Sequence, residues 1–256
     1  MHAYIALRLV IEGGFLPDEI TPHPPLRCEH AGGDCRLAFD QEAEDSKELT
    51  IIGGLKSKTV DVVVCKEGIG PVMCVSVKGT GNAFRNLTNR MEEAIGDCTN
   101  LHVMYPGLVY GFLHLLKANR SGQPGIRDND VSVLPDEQVA PSIARYHDLL
   151  RELAGRRFVR NDFTRYEAVA LMLVESASGR TGAVFPSFPP SDSPLMPATF
   201  FDTLYRVYDL RYPYMGIMIR QARRVVWDPA SPAFCAIREA TGKDLETALG
   251  YTPRLS

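Results

Sequence analysis

The chain has 256 residues, 45% hydrophobic and 23% charged, with a formal net charge of −3. That balance is ordinary for a globular protein; it excludes a disordered chain and a strongly basic, non-specific coat for nucleic acid. No apolar run reaches the roughly 18 residues a membrane span needs. The start Met1-His2-Ala3-Tyr4-Ile5 lacks the basic head and apolar run of a secretory signal, so a cytoplasmic protein with no membrane partner is expected. The cysteines at 28, 35, 65, 74, 98 and 235 form no CxxC pair. Cys65 and Cys74 sit in apolar runs, where free thiols pack as small hydrophobes, as suits a reduced compartment. Cys28, His30 and Cys35 have zinc-ligand chemistry but lack a fourth partner at the usual spacing, so no metal is expected there.

Residues 3 to 12 read as a helix with Tyr4, Leu7 and Ile11 along one stripe, stopped by Gly13-Gly14. Residues 17 to 35, rich in Pro, His and Gly, read as a loop, and 40 to 48 as an acidic, solvated stretch. Thr59 to Cys65 is β-branched and apolar and predicts a buried strand. Lys66 to Pro71 is a turn by its glycines and proline, and Val72 to Lys78 is a second strand, so the pair predicts an antiparallel hairpin. Phe84, Leu87, Met91, Ala94 and Ile95 then recur at helical spacing, with Gly96 as the expected end. Leu108 to Leu116 reads as a core strand or a short buried helix, between which periodicity does not decide, with strand preferred; Tyr166 to Val174 reads as another core strand. Residues 142 to 154 and 198 to 209 read as amphipathic helices, with long connectors at 120 to 141 and 179 to 197. The whole predicts a single α/β domain, its core about 45–175 with a C-terminal extension 176–256.

Alternation along a strand puts Ser76 and Lys78 on one face while Val75 and Val77 take the other. Asp61 stands among valines in the preceding strand. A carboxylate there is costly to bury unless it is paired or holds a metal. A hairpin thus brings an aspartate and a lysine toward one cleft. Carboxylates hold Mg²⁺, water and phosphate oxygens complete its shell, and a lysine offsets charge in the transition state. No GxxxxGK[ST] loop and no GxSxG elbow points to another chemistry. Arg156, Arg157 and Arg160 form a basic cluster suited to phosphate, and His102 and His114 read as core or surface histidines.

Asp61, then Ser76-Val77-Lys78, then a helix over 83 to 95, resembles the PD-(D/E)xK nuclease superfamily. That pattern has an Asp on one strand, acid-x-Lys on the next, and a following helix. Serine stands where the second acid usually is. In this the chain resembles type II restriction endonucleases with Ser-x-Lys, whose second acid has moved to the next helix about fourteen residues after the lysine. Glu92 is at that position here, and Glu93 is the alternative. The resemblance covers about residues 59 to 97. It implies a restriction-endonuclease-like mixed central sheet flanked by helices, and Mg²⁺-dependent DNA endonuclease activity with Mn²⁺ as a substitute. Asp61, Ser76, Lys78 and Glu92 would then be catalytic; Asp61, Glu92, Glu93 and, on the first helix, Glu12 would be metal ligands. Arg85, Asn89 and Arg90 join Arg156, Arg157 and Arg160 as candidate contacts to DNA, expected to be double-stranded. A homodimer is expected, because cutting both strands of a symmetric site needs two centres. The rival reading is an inactive nuclease-fold module that binds DNA or protein.

Overall fold

The computed structural model describes all residues except 32–33, 81–86, 161, 177–178 and 213–221. The chain is mixed α/β: a five-stranded mixed sheet in the order β1-β6-β7-β8-β9, flanked by helices, and two separate two-stranded ladders, β2-β3 and β4-β5. The strands are β1 Ile20–Thr21, β2 Leu26–Ala31, β3 Asp34–Phe39, β4 Leu49–Ile52, β5 Ser57–Val60, β6 Val62–Lys66, β7 Gly70–Thr80, β8 Val109–Lys117 and β9 Ala168–Val174. The helices are α1 His2–Ile11, α2 Leu87–Met104, α3 Pro141–Glu152, α4 Pro197–Arg211, α5 Pro232–Thr241 and α6 Leu245–Leu249. Among the described residues no helix is long and apolar enough to cross a membrane. The chain divides into two compact units, residues 1–51, 59–74 and 208–256 in the first, and 52–58 and 75–207 in the second.

In the first unit α1 buries Ile5, Ala6, Leu9 and Val10. Of the stripe that the sequence suggests, Ile11 is buried with them, but Tyr4 is exposed, and Arg8 lies across its ring. The helix ends where Gly14 takes φ +71°, at a point where any Cβ would stand 2.2 Å from the Val225 carbonyl oxygen. Trp227 is fully buried and donates its indole N–H to the Val10 carbonyl at 2.8 Å. Ile20 and Thr21 pair antiparallel with Val64 and Val63 of β6, whose apolar run fills the core beside Val72 and Met73.

The stretch 17–35, expected as loop, contains β2 and pairs it with β3, with His30 opposite Cys35 and Cys28 opposite Leu37. Its alternation was masked because both ladder faces carry polar residues. The tail also forms α5 and α6, each closed by a left-handed glycine, Gly242 and Gly250.

In the second unit β8 and β9 run parallel, from Gly111 opposite Ala168 to Lys117 opposite Val174. Both strands are buried nearly throughout, as parallel strands covered on two faces should be. Helix α4 lies against β8 through Phe200 and Leu204, which approach the bare backbone of Gly111. Helix α2 runs through Gly96 to Met104 rather than ending there. It is tied down by the Tyr166 hydroxyl, which donates to the Ala94 carbonyl at 2.8 Å.

Candidate functional site

Asp61 is not inside a continuous strand; it is the bend between β5 and β6. Breaking the run there spares the carboxylate full burial, and the side chain keeps 16% exposure. His2, the first residue of α1, places Nε2 3.1 Å from Asp61 Oδ1 and Nδ1 3.7 Å from Glu48 Oε1. One donor atom from each of His2, Glu48 and Asp61 lies within 4.8 Å of the other two. Two carboxylates and an imidazole fit a divalent cation. The nitrogen donor tilts the set toward Mn²⁺ or Zn²⁺ over Mg²⁺, which prefers oxygen. His2 and Glu48 carried no signal in the sequence, since neither is near Asp61 in the chain.

Glu12 does not join this cluster. It lies at the far end of α1 from His2, about 15 Å along the axis at 1.5 Å per residue. Its carboxylate is taken by Arg8 through two contacts of 2.6 and 2.9 Å.

In the second unit β7 presents Lys78 toward α2. Lys78 Nζ lies 3.7 Å from Glu93 Oε1, and Arg90 Nη1 lies 2.6 Å from Glu93 Oε2. Burial pushes the Glu93 carboxyl up. The Arg90 hydrogen bond and the charges of Lys78, Arg90 and Lys58 outweigh it and hold the group below the usual glutamate value. Glu93 is thus the helix acid beside the lysine, whereas Glu92 is exposed. Ser76 is buried and shares a 2.8 Å hydrogen bond with the Tyr110 hydroxyl, so the serine of the motif is engaged in the sheet.

Beside this group stands His114, expected as a core or surface histidine and found in the core. It is fully buried on β8, its ring stacked on Tyr146 of α3 at 5.5 Å. Both its ring nitrogens, the Tyr146 and Ser142 hydroxyls and Arg90 Nε find no hydrogen-bond partner among the described residues. Burial, with the Arg90 charge adding to it, lowers the His114 pKa to about 4. Buried polar atoms are rarely left so.

The basic cluster divides. Arg156 is fully buried, with Nη1 2.8 Å from Glu167 Oε1 and Nη2 donating to the Pro106 and Val159 carbonyls. It cannot reach phosphate, and the DNA-contact reading of this residue is withdrawn. Arg157, Arg160 and Asn89 are exposed, and Arg90 is spent on Glu93. Arg85 lies outside the described residues. Glu167 also accepts from the Tyr110 amide at 2.6 Å and lies 3.4 Å from His102. Next to His102, burial keeps the Cys98 thiol well above its ordinary value, so this buried Cys-His-Glu row has no thiolate nucleophile.

Comparison with protein-family models, curated proteins and solved structures gives no match. The reading therefore stands on the residues.

A cavity of about 360 Å³ in the first unit is lined by Tyr208, Asp209, Tyr212 and three arginines. One of these, Arg224, is committed to Asp209 at 2.6 Å.

Proposed function

We propose that the chain is a divalent-metal-dependent phosphodiesterase that cuts double-stranded DNA, an endonuclease on a restriction-endonuclease-like fold. One observation carries this reading. Asp61, selected by the strand motif alone, stands with a second carboxylate and an imidazole at the spacing of a cation site. A divalent ion there would stabilise charge on phosphoryl oxygens and lower the pKa of a bound water. Asp61, Glu48 and His2 would hold and orient that ion. Lys78 is the lysine that the motif offers for the positive charge such chemistry uses, and within its own unit Glu93 with Arg90 fixes its position. Exposed Arg157 and Arg160 suit the phosphate backbone. A homodimer would present two centres to a symmetric duplex.

The test is nicking and linearisation of supercoiled plasmid with Mg²⁺ or Mn²⁺. Wild-type cleavage is expected with either ion, faster with Mn²⁺, and abolished by EDTA. Asp61→Ala and Glu48→Ala are expected to abolish it, and Lys78→Ala to slow it by about 10²–10³, the usual cost of one transition-state partner. Glu92→Ala is expected to leave the rate within about twofold. Activity indifferent to EDTA, or unaffected by Asp61→Ala, would sink the proposal.

A second reading has its own support. With Ser76 bound to Tyr110 the position of the motif's second acid is structural, as in a DNA-binding module without catalysis. Tight duplex binding with no cleavage under any divalent ion would favour it.

A further inference from the structure

We propose that Cys28, His30 and Cys35 form a zinc site on the β2-β3 hairpin, separate from the Asp61 cluster and independent of the nuclease reading. The ladder register builds it. Cys28 and His30 are two apart on β2, so their side chains leave the same face. Cys35 is the direct cross-strand partner of His30 and shares that face. One imidazole is thereby set between two sulfurs. Cys28 Sγ lies 3.9 Å from His30 Nε2, and Cys35 Sγ lies 3.9 Å from His30 Nδ1. One donor atom from each residue falls within 4.8 Å of the other two. Zn–S bonds near 2.3 Å and Zn–N bonds near 2.0–2.1 Å place tetrahedral ligands about 3.5–3.8 Å apart. Contraction of the separations by up to about 1.3 Å, with the ring giving one nitrogen to the ion, closes the site.

The hairpin is held for this. The Cys35 carbonyl accepts from the Asp228 amide at 2.9 Å, Arg36 pairs with Asp228 at 2.6 Å, and the Leu37 amide donates to Ser231 Oγ at 3.1 Å. These contacts anchor β3, which carries Cys35, and the ladder holds β2 with Cys28 and His30 to it. The donor set is selective, since two thiolates and an imidazole take Zn²⁺ in preference to Mg²⁺ or Ca²⁺. Thiols bind zinc as thiolates, so metal replaces their protons and binding releases protons. Three protein donors leave the fourth position to water; His30 is exposed, so solvent reaches the ion.

The experiment uses the full chain, stripped of metal under reducing conditions and titrated with Co²⁺ and then Zn²⁺. The proposal expects an intense thiolate-to-cobalt charge-transfer band corresponding to one thiolate-bound Co²⁺ per chain, whatever the carboxylate cluster takes up, bleached by Zn²⁺ and weakening as pH falls. Cys28→Ser and Cys35→Ser are expected to lower zinc affinity by about a hundredfold or more, beyond the 10–100-fold loss typical of a supporting partner. Cys235→Ser and Asp61→Ala should leave the band intact, which separates this site from the carboxylate cluster. A cobalt complex without the sulfur band in the wild type would overturn the proposal even if a variant misfolds. So would zinc affinity unchanged in both cysteine variants that keep the native Trp227 fluorescence.

Discussion

At the scale of single residues, Arg156 and Arg157 are adjacent in sequence and opposite in energetics. Arg156 and Glu167 are both excluded from solvent and joined at 2.8 Å. Removing one partner of such a pair strands the other charge, at a cost of about 3–5 kcal/mol. Arg157 is exposed, and its loss should stay within about 0.5 kcal/mol. Urea denaturation of Arg156→Ala and Arg157→Ala checks this, and equal midpoints would refute the burial argument. His114 gives a pH-dependent counterpart. Above pH 6.5 both folded and unfolded chains keep it neutral. Between pH 6.5 and about 4 the unfolded chain takes up a proton that the folded one refuses, so stability falls as pH drops across that window, by up to about 3 kcal/mol. His114→Phe keeps the ring stack on Tyr146, and its midpoint should fall less steeply than wild type over the same range. Parallel curves would mean that His114 does not titrate as its burial dictates. Much of this was beyond the reach of sequence. A run of arginines looks uniformly basic, and only tertiary packing decides which guanidinium meets Glu167. The choice between Glu92 and Glu93 likewise turns on about 100° of helix phase, which apolar periodicity leaves open. What the sequence does carry is the association of Glu93 with Arg90, because three residues of helix fix it.

At the scale of elements, apolar strands and helices were legible and polar ones were not. The buried runs of β6, β7, β8 and β9 are apolar, and the valines of β6 and β7 mark these two as strands by composition. The β2-β3 ladder carries Arg27, Glu29, His30 and Arg36, and no alternation survives to be read. Two glycines show how far packing overrides local propensity. Gly96 sits exposed in mid-helix with nothing within 4 Å of a would-be Cβ, so Gly96→Ala should stabilise by about 0.4–1 kcal/mol through propensity and unfolded-state entropy. A Cβ on Gly111 would stand 2.7 Å from Phe200 Cζ and 3.0 Å from Leu204 Cδ1. Gly111→Ala should therefore destabilise by about 1–3 kcal/mol, the usual cost of overpacking. Opposite shifts in urea midpoint are the expected outcome; stabilisation by both substitutions would show that α4 yields freely above β8.

At the scale of the whole molecule, the two compact units are not consecutive domains. The chain passes between them after Ile51, Lys58, Cys74 and Val207. All four passages fall inside single elements, within β4, β5, β7 and α4 in turn. A strand or helix cannot melt over half its length without losing hydrogen bonds that the other half needs, so the fold should unfold in one transition. Each unit carries its own reporter. Trp227, the only tryptophan, is buried in the first, and Cys98 is buried in the second. The urea midpoint from Trp227 fluorescence should coincide with that from alkylation of Cys98 in a chain whose other cysteines are replaced by serine or alanine. Metal linkage sharpens the test. Mn²⁺ at a hundredfold over its Kd would contribute about 2.7 kcal/mol to whatever unfolds with its ligands, and the proposed ligands His2, Glu48 and Asp61 all belong to the first unit. In a cooperative chain the ion must raise both midpoints equally, although Cys98 belongs to the other unit. A shift confined to the tryptophan signal would instead make these two units independently stable, with metal occupancy governing only one of them.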